Sequence, residues 1–215
     1  NWTNLQDGNY TYNVSMTDSS NNRNSTETRT ITLDMTSPII NLVQPMEGTY
    51  SNNNTLELNF SVSDNLIGIS SCWYRVVNST GSLIRNNITI AGCNNITFGL
   101  PSGDIDYNLT LFSNDTLNNL NQSVVTFGVR TNAPAIILNY PEEGTHIRNG
   151  TNFYFNFTAT DLDGLDTAQL YGNWSGIFAL NYTWLNPNSG VMNFTTVNLT
   201  DGLYLWNVRV NDTLG

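Results

Sequence analysis

Leu56-Glu57-Leu58-Asn59-Phe60-Ser61-Val62 places an apolar side chain at every even position and a polar one at every odd position. Successive side chains of an extended strand point to opposite faces, so this segment has one face for a core and one for water. An amphipathic helix would need apolar positions every three to four residues, and no stretch of the chain sustains that period. The same alternation returns 97 residues later, where Phe153, Phe155, Phe157 and Ala159 stand for Leu56, Leu58, Phe60 and Val62, and Asp161 follows as Asp64 does.

Other elements repeat at the same interval. Pro-x-Glu-Gly-Thr occurs at Pro45–Thr49 and at Pro141–Thr145, 96 residues apart. A turn feeding a tyrosine occurs three times, as Asp7-Gly8-Asn9-Tyr10, Gly103-Asp104-Ile105-Asp106-Tyr107 and Asp201-Gly202-Leu203-Tyr204, with the tyrosines 97 residues apart and Asp18, Asp115 and Asp212 following at a fixed distance. A period of 96–97 residues matches one immunoglobulin-type sandwich, and turn signals between short alternating runs fit that architecture. The expected fold class is therefore all-β, with tandem immunoglobulin-like sandwiches of the fibronectin III or bacterial Ig-like (Big) kind.

In this frame, residues 1–34 are the closing strands (end of E, F and G) of a preceding repeat. Residues 35–131 form a complete repeat, and 132–215 form another that lacks its last strand. The chain begins at Asn1 and not Met, and its ends do not coincide with repeat boundaries, so a segment of a longer array is expected. The linkers Asp34–Pro38 and Arg130–Pro134 are short and carry one Pro each, which limits hinge motion. The last strand of the third repeat would come from downstream sequence or from a neighbouring copy, the second being donor-strand exchange.

The strand phase predicts which residues enter the core. Tyr10, Tyr12, Val14 and Met16 form one inward set, Tyr107, Leu109 and Leu111 the next, and Tyr204, Trp206, Val208 and Val210 the third. The turn before each tyrosine suits a tyrosine corner, in which Tyr10, Tyr107 and Tyr204 hydrogen-bond back across the preceding bend; the plainer reading is a Tyr that opens a strand after a turn. Trp73 lies on strand C, where immunoglobulin domains commonly bury a Trp.

Composition narrows function by exclusion. The 215 residues include 36 Asn and 44 Ser plus Thr, with only 11% charged. Such polarity is compatible with disorder, but 39% hydrophobic and 11% aromatic residues, spread in alternation, specify a folded chain. All seven basic residues are Arg against seventeen acidic ones, for a net charge of −10. A phosphate backbone or an anionic membrane surface would be repelled. No apolar run approaches the roughly 20 residues of a membrane-spanning helix. Cys72 and Cys93 are the only cysteines; they read most simply as a disulfide made in an oxidising compartment. Two buried thiols are the other reading, and a metal site lacks further ligands nearby.

The strongest functional signal is the sequon pattern. Asn-x-Ser/Thr without a central Pro occurs 19 times, where chance placement would give about 7. The asparagines are Asn1, Asn9, Asn13, Asn24, Asn53, Asn59, Asn78, Asn87, Asn95, Asn108, Asn114, Asn121, Asn149, Asn156, Asn173, Asn181, Asn193, Asn198 and Asn211. Asn53 and Asn149, Asn59 and Asn156, and Asn114 and Asn211 share slots in successive repeats. Asn13, Asn59 and Asn156 fall between inward apolar residues, on the face a bulky glycan requires. Extracellular localisation and covalent N-glycans are the corresponding expectations.

The run Ile69-Ser70-Ser71-Cys72-Trp73-Tyr74, then Asn94-Asn95-Ile96-Thr97-Phe98, the Tyr107 strand and Asn114-Asp115-Thr116, resembles Ig-like repeats of long surface proteins of archaea and, more loosely, of bacteria. Those repeats run Cys-Trp-Tyr, a second Cys, Asn-x-Thr, a Gly-x-Tyr strand, an Asn-Asp motif and a Pro-bearing linker. The third repeat departs in lacking both cysteines but keeps Asn211-Asp212-Thr213. The resemblance implies a cell-surface or filament-forming protein.

No catalytic constellation is legible, so an enzyme is not expected. His146, the only His, lies in the Pro-Glu-Glu-Gly-Thr turn. One segment has metal-ligand character: Asp161-Leu162-Asp163-Gly164-Leu165-Asp166 alternates carboxylates around a Gly, which suits oxygen coordination of calcium through Asp161, Asp163 and Asp166; a solvated turn explains the same residues. No other cofactor is expected. The leading functional expectation is a structural filament, stalk or sheath whose partners are neighbouring repeats or copies of itself. The alternative is an adhesin or glycan-binding module that uses Trp2, Trp174, Trp184 or Trp206 for stacking.

Overall fold

The computed structural model describes residues 3–148, 153–196 and 199–214, and strands dominate them. The chain divides into two compact units. One holds the described residues up to Gly48 with Asn54–Leu100 and Asp106–Gly128; the other holds Thr49–Asn53, Pro101–Ile105 and the described residues from Val129 onward.

The first 34 residues contribute β1 (Gly8–Tyr12), β2 (Ser15–Thr17), β3 (Arg23–Ser25) and β4 (Arg29–Leu33). β1 pairs with β4 and β2 with β3, so they form a long antiparallel hairpin. Its expected inward face is not a core: Tyr12, Val14 and Met16 are exposed. The corresponding strand of the middle repeat differs, with Tyr107, Leu109 and Leu111 fully buried. Among the described residues each of these ribbons is two-stranded, and burial needs a second layer packed on the apolar face.

The middle repeat has both layers within itself. β5 (Ile39–Gln44), β6 (Thr49–Tyr50), β7 (Leu56–Ser63), β8 (Ile69–Asn78), β9 (Leu83–Ile90), β10 (Ile96–Phe98), β11 (Ile105–Asp115) and β12 (Leu120–Val129) form two sheets, ordered β10-β7-β5 and β6-β12-β11-β8-β9. In strand letters this is ABE against a sheet led by G, F, C and C′, the immunoglobulin-like sandwich in its fibronectin III arrangement. Leu56, Leu58 and Phe60 of β7 are buried while Glu57 and Ser61 are exposed. Tyr74 of β8 meets Phe98 of β10 across the sandwich at 5.5 Å between ring centroids.

Trp73 does not enter this core. Cys72, Tyr74 and Val76 are the buried residues of β8, and neighbouring residues of a strand cannot share a face. Trp73 instead stacks on Phe112, its cross-strand partner on β11, at 5.5 Å. Cys72 reaches Cys93, just before β10, in a disulfide, which commits β8 to this phase.

The third repeat contains β13 (Ala135–Tyr140), β14 (Phe153–Thr160), β15 (Leu165–Gly172), β16 (Ala179–Leu185), β17 (Gly190–Thr196) and β18 (Trp206–Asp212). They form sheets ordered β13-β14-β17 and β16-β15-β18, again A-B-E and C′-C-F. Lacking the disulfide, this core is richer in rings. Phe153, Phe155, Phe157, Leu165, Leu170, Met192 and Val208 are buried, with Trp174, Trp184 and Trp206 packed against them. Trp174 stacks on Phe155 at 4.7 Å. Gly172 permits this approach, since a Cβ there would lie 1.7 Å from the Trp174 ring.

Leu58→Ala, at a site with 0% exposure, is expected to cost about 2–5 kcal/mol in urea unfolding. Val14→Ala, at a site with 54% exposure, should change stability by about 0.5 kcal/mol or less. Equal losses at the two positions would contradict the burial assigned to the hairpin.

Candidate functional site: sequon faces and a buried carboxylate cluster

Asn1, Asn149 and Asn198, with Trp2, lie outside the described residues. Of the remaining sixteen sequon asparagines none is buried. Asn9, Asn13, Asn24, Asn87, Asn95, Asn121, Asn193 and Asn211 are exposed; Asn53, Asn59, Asn78, Asn108, Asn114, Asn156, Asn173 and Asn181 are half-buried. The strands impose this, because Asn59 and Asn156 sit one residue out of phase with Leu58, Phe60, Phe155 and Phe157. Asn156 and Asn193 are register partners on β14 and β17, and the Asn156 amide donates to Asn193 Oδ1 at 2.6 Å. Asn181 differs: its Nδ2 donates to the carbonyls of Gly172 (3.0 Å) and Ala179 (2.6 Å).

The turn tyrosines bridge their bends. Tyr10 donates its hydroxyl to the Gln6 carbonyl at 2.6 Å, and Tyr204 donates to the Thr200 carbonyl at 3.0 Å, both four residues back. Tyr107 is fully buried, and burial raises its hydroxyl pKa above the ordinary tyrosine value. His146 is exposed in the segment between β13 and β14.

The periodic aspartates hold the turns. After β11, Asp115 Oδ1 accepts the amides of Leu117 (2.8 Å) and Asn119 (2.9 Å), and its Oδ2 accepts Asn119 Nδ2 at 2.7 Å. Asp18 Oδ1 accepts the Ser20 and Asn22 amides, and Asp212 Oδ1 the Leu214 amide. After β7, Asp64 Oδ1 accepts the amides of Leu66 (3.1 Å) and Ile67 (3.0 Å). Linkers are held similarly. Asp7 accepts the Met35 amide and the Thr36 hydroxyl, while Asp104 Oδ1 accepts the amides of Thr131 and Asn132.

Three of these turns converge. One carboxylate oxygen each from Asp34, Asp64 and Asp115 lies within 4.8 Å of the other two. Asp34 is 5% exposed and Asp115 0%. Asp34 Oδ1 accepts the Thr36 amide at 3.0 Å, but Oδ2 of Asp34 and of Asp64 are buried without a hydrogen-bond partner. Burial, together with the charges of Asp64, Asp7 and Asp115, holds the Asp34 pKa above the ordinary carboxylate value. Burial also pushes Asp115 upward, yet its hydrogen bonds from Asn119, Leu117 and Asn118 bring it below that value.

Asp161, Asp163 and Asp166 are not gathered in this way; among the described residues the Asp34 group is the only cluster of three potential ligands. Asp161 Oδ1 accepts the Asp163 amide at 2.8 Å, so the turn uses it locally. Asp163 faces Arg130 instead, with Nε 3.2 Å from Oδ1 and both side chains mostly buried. Burial raises the Asp163 pKa, Arg130 opposes this, and Asp161, Asp104 and Asp212 add to the rise. The sequence reading of calcium at 161–166 rested on ligand type and missed Arg130, which lies about thirty positions earlier. The Asp34 cluster was also missed, although the recurrence of Asp64 as Asp161 and Asp115 as Asp212 was a signal for two of its members.

No family model matches the chain, and no curated protein matches it in sequence. Solved structures similar to it include the fibronectin(III)-like modules of Clostridium thermocellum CbhA, with 15% identity over 82% of this chain and 87% of that one and a TM-score of 0.35. A two-domain fibronectin type III segment of chicken tenascin shows 12% identity over 82% and 92%, with a TM-score of 0.34. The FN1–FN3 domains of chicken CNTN1 show 9% identity over 95% and 73%, with a TM-score of 0.35. Among the described residues no helix is long and apolar enough to cross a membrane.

Arg130→Gln is expected to destabilise the chain by about 3 kcal/mol near neutral pH, because it leaves a mostly buried carboxylate without its cation. It removes the one cation among the charged groups that face Asp163, leaving Asp161, Asp104 and Asp212. The loss should shrink as pH falls through the carboxylate range, because a protonated Asp163 no longer needs the guanidinium. Thermal unfolding of both chains across that range checks the sign; a loss independent of pH would contradict it.

Proposed function

We propose that this chain is a segment of an N-glycosylated extracellular scaffold: a surface filament, stalk or sheath strung from sandwich repeats. The observation that carries the reading is that every described sequon asparagine lies on a solvent-reached position, while in the second and third repeats the apolar residues alternating with them fill the cores. A chain that merely used Asn and Thr for solubility would have no reason to hold them at sequon spacing well above chance. The disulfide in the middle repeat suits the same oxidising compartment.

Glycans at these positions would coat both sheets of each sandwich, hinder proteolysis and discourage edge-to-edge strand pairing. Neighbouring repeats or further copies of the chain are the partners of this reading. The linkers support it, since Asp7 holds the Met35 amide and the Thr36 hydroxyl, and Asp104 holds the amides of Thr131 and Asn132. The competing reading, a glycan- or cell-binding module, would rely on accessible tryptophans. Trp174, Trp184 and Trp206 are instead packed against the third repeat's core, and Trp73 is stacked on Phe112.

Peptide mapping of the chain recovered from the cell surface, or secreted by an N-glycosylating host, is expected to find more than half of the nineteen sequons occupied. Asn181 should be among the least occupied, since a glycan on its Nδ2 must break one of two hydrogen bonds to backbone carbonyls. Asn13 and Asn87, on exposed positions, should be among the most occupied. Unmodified peptides throughout would remove the proposal.

A further inference from the structure

We propose that Asp34, Asp64 and Asp115 form a calcium site where the linker after β4 meets the turns that follow β7 and β11. Three separated pieces of chain deliver the ligands, and one oxygen of each lies within 4.8 Å of the others. Backbone amides fix one oxygen of every carboxylate: Thr36 on Asp34, Leu66 and Ile67 on Asp64, Leu117 and Asn119 on Asp115. The second oxygens of Asp34 and Asp64 are buried and accept no hydrogen bond from an amide, guanidinium or hydroxyl, and the side chain in contact with Asp34 from β1's leading turn is another carboxyl, Asp7. A buried ionised oxygen with neither donor nor cation is among the costliest arrangements a protein can hold. A bound cation resolves it.

The ligand chemistry selects the ion. All donors are carboxylate oxygens, which suit hard cations. The single His is exposed elsewhere and both cysteines are in the disulfide, so a nitrogen- or sulfur-preferring metal has nothing to bind. Magnesium usually takes one or two carboxylates and keeps a regular octahedron of waters, whereas calcium accepts several carboxylates in irregular geometry. Three carboxylates from three loops fit calcium.

The next junction supplies an internal contrast. Asp161 and Asp212 repeat Asp64 and Asp115 at the 97-residue period, but Thr131 occupies the slot of Asp34. Arg130 is there as well, 3.2 Å from Asp163. That junction carries its own cation. At the first one, the charged groups that bear on Asp34 are Asp64, Asp7 and Asp115, all acidic, so the balancing charge must come from solution.

The test uses the 215-residue chain stripped with a chelator, followed by calorimetric titration and thermal unfolding with calcium, with magnesium, and with sodium chloride at matched ionic strength. Calcium is expected to bind with a Kd of about 10⁻⁴–10⁻³ M, the range of extracellular modules. The unfolding midpoint should then rise steadily with each tenfold increase in free calcium above the Kd. Asp34→Asn should weaken binding at least about tenfold by removing ligand charge, and Asp64→Asn, an independent variant, should do the same. Asp163→Asn should retain the full calcium response.

Absence of both heat and midpoint shift with calcium in the unmodified chain would overturn the proposal. Greater stability of Asp34→Asn without any calcium response in the parent would overturn it too, and would show that the carboxyls share a proton. A calcium response abolished by Asp163→Asn but untouched by Asp34→Asn would place the ion at the other junction and likewise end it.

Discussion

A strand that buries every second side chain has a single face left for anything else, and that face is where this chain keeps its asparagines. The two properties are not independent. Leu56, Leu58 and Phe60 enter the core because the pleat sends them to one side; Asn59 stays at the surface for the same geometric reason. A shift of register by one residue would exchange the two sets, burying sequon amides and exposing rings at once. The packing of the core and the exposure of the sequon asparagines are therefore set by one variable. This also explains why the asparagines lie largely within strands instead of being confined to loops.

Turns must end each strand without spoiling that phase, and the chain assigns the task to aspartate. Asp18, Asp115 and Asp212 accept backbone amides after the F-type strands, and Asp64 and Asp161 do so after the B-type strands. A side-chain carboxylate can satisfy two or three orphan amides at a bend, which explains why these residues recur at the repeat period although the sequence between them drifts. Each such turn adds a negative charge to the chain. The net charge of −10 is thus partly a by-product of turn construction rather than a specification for a charged ligand.

Much of the fold was legible because it rests on local alternation. Phe153, Phe155, Phe157 and Ala159 could be placed from spacing alone and are all buried. Errors arose where a residue's fate depended on distant sequence. Trp73 was assigned to the core by analogy with antibody domains, but Cys72 decides the phase of β8 through its bond to Cys93; Arg75, on the Trp73 face, already argued against burying that face. Tyr12, Val14 and Met16 carry the right pattern, yet pattern states only which face is apolar, not whether a second sheet covers it. The Asp34, Asp64 and Asp115 cluster was beyond reach of spacing, since its members are 30 and 51 positions apart and meet only after three turns fold back.

The two linkers show how a repeat array can vary its joints without altering its domains. The residues that hold the linker backbone, Asp7 and Asp104, are equivalent, as are the turn aspartates nearby. What differs is the treatment of accumulated charge. After the first linker residue, Asp34 joins two carboxylates and leaves two buried oxygens unanswered; at the corresponding place in the next repeat Thr131 removes that charge, and Arg130 answers Asp163. Both arrangements share the periodic turn aspartates and differ at three equivalent positions: Leu33 against Arg130, Asp34 against Thr131, and Leu66 against Asp163. A joint balanced by a side chain is set once, at folding, whereas one balanced from solution follows the medium.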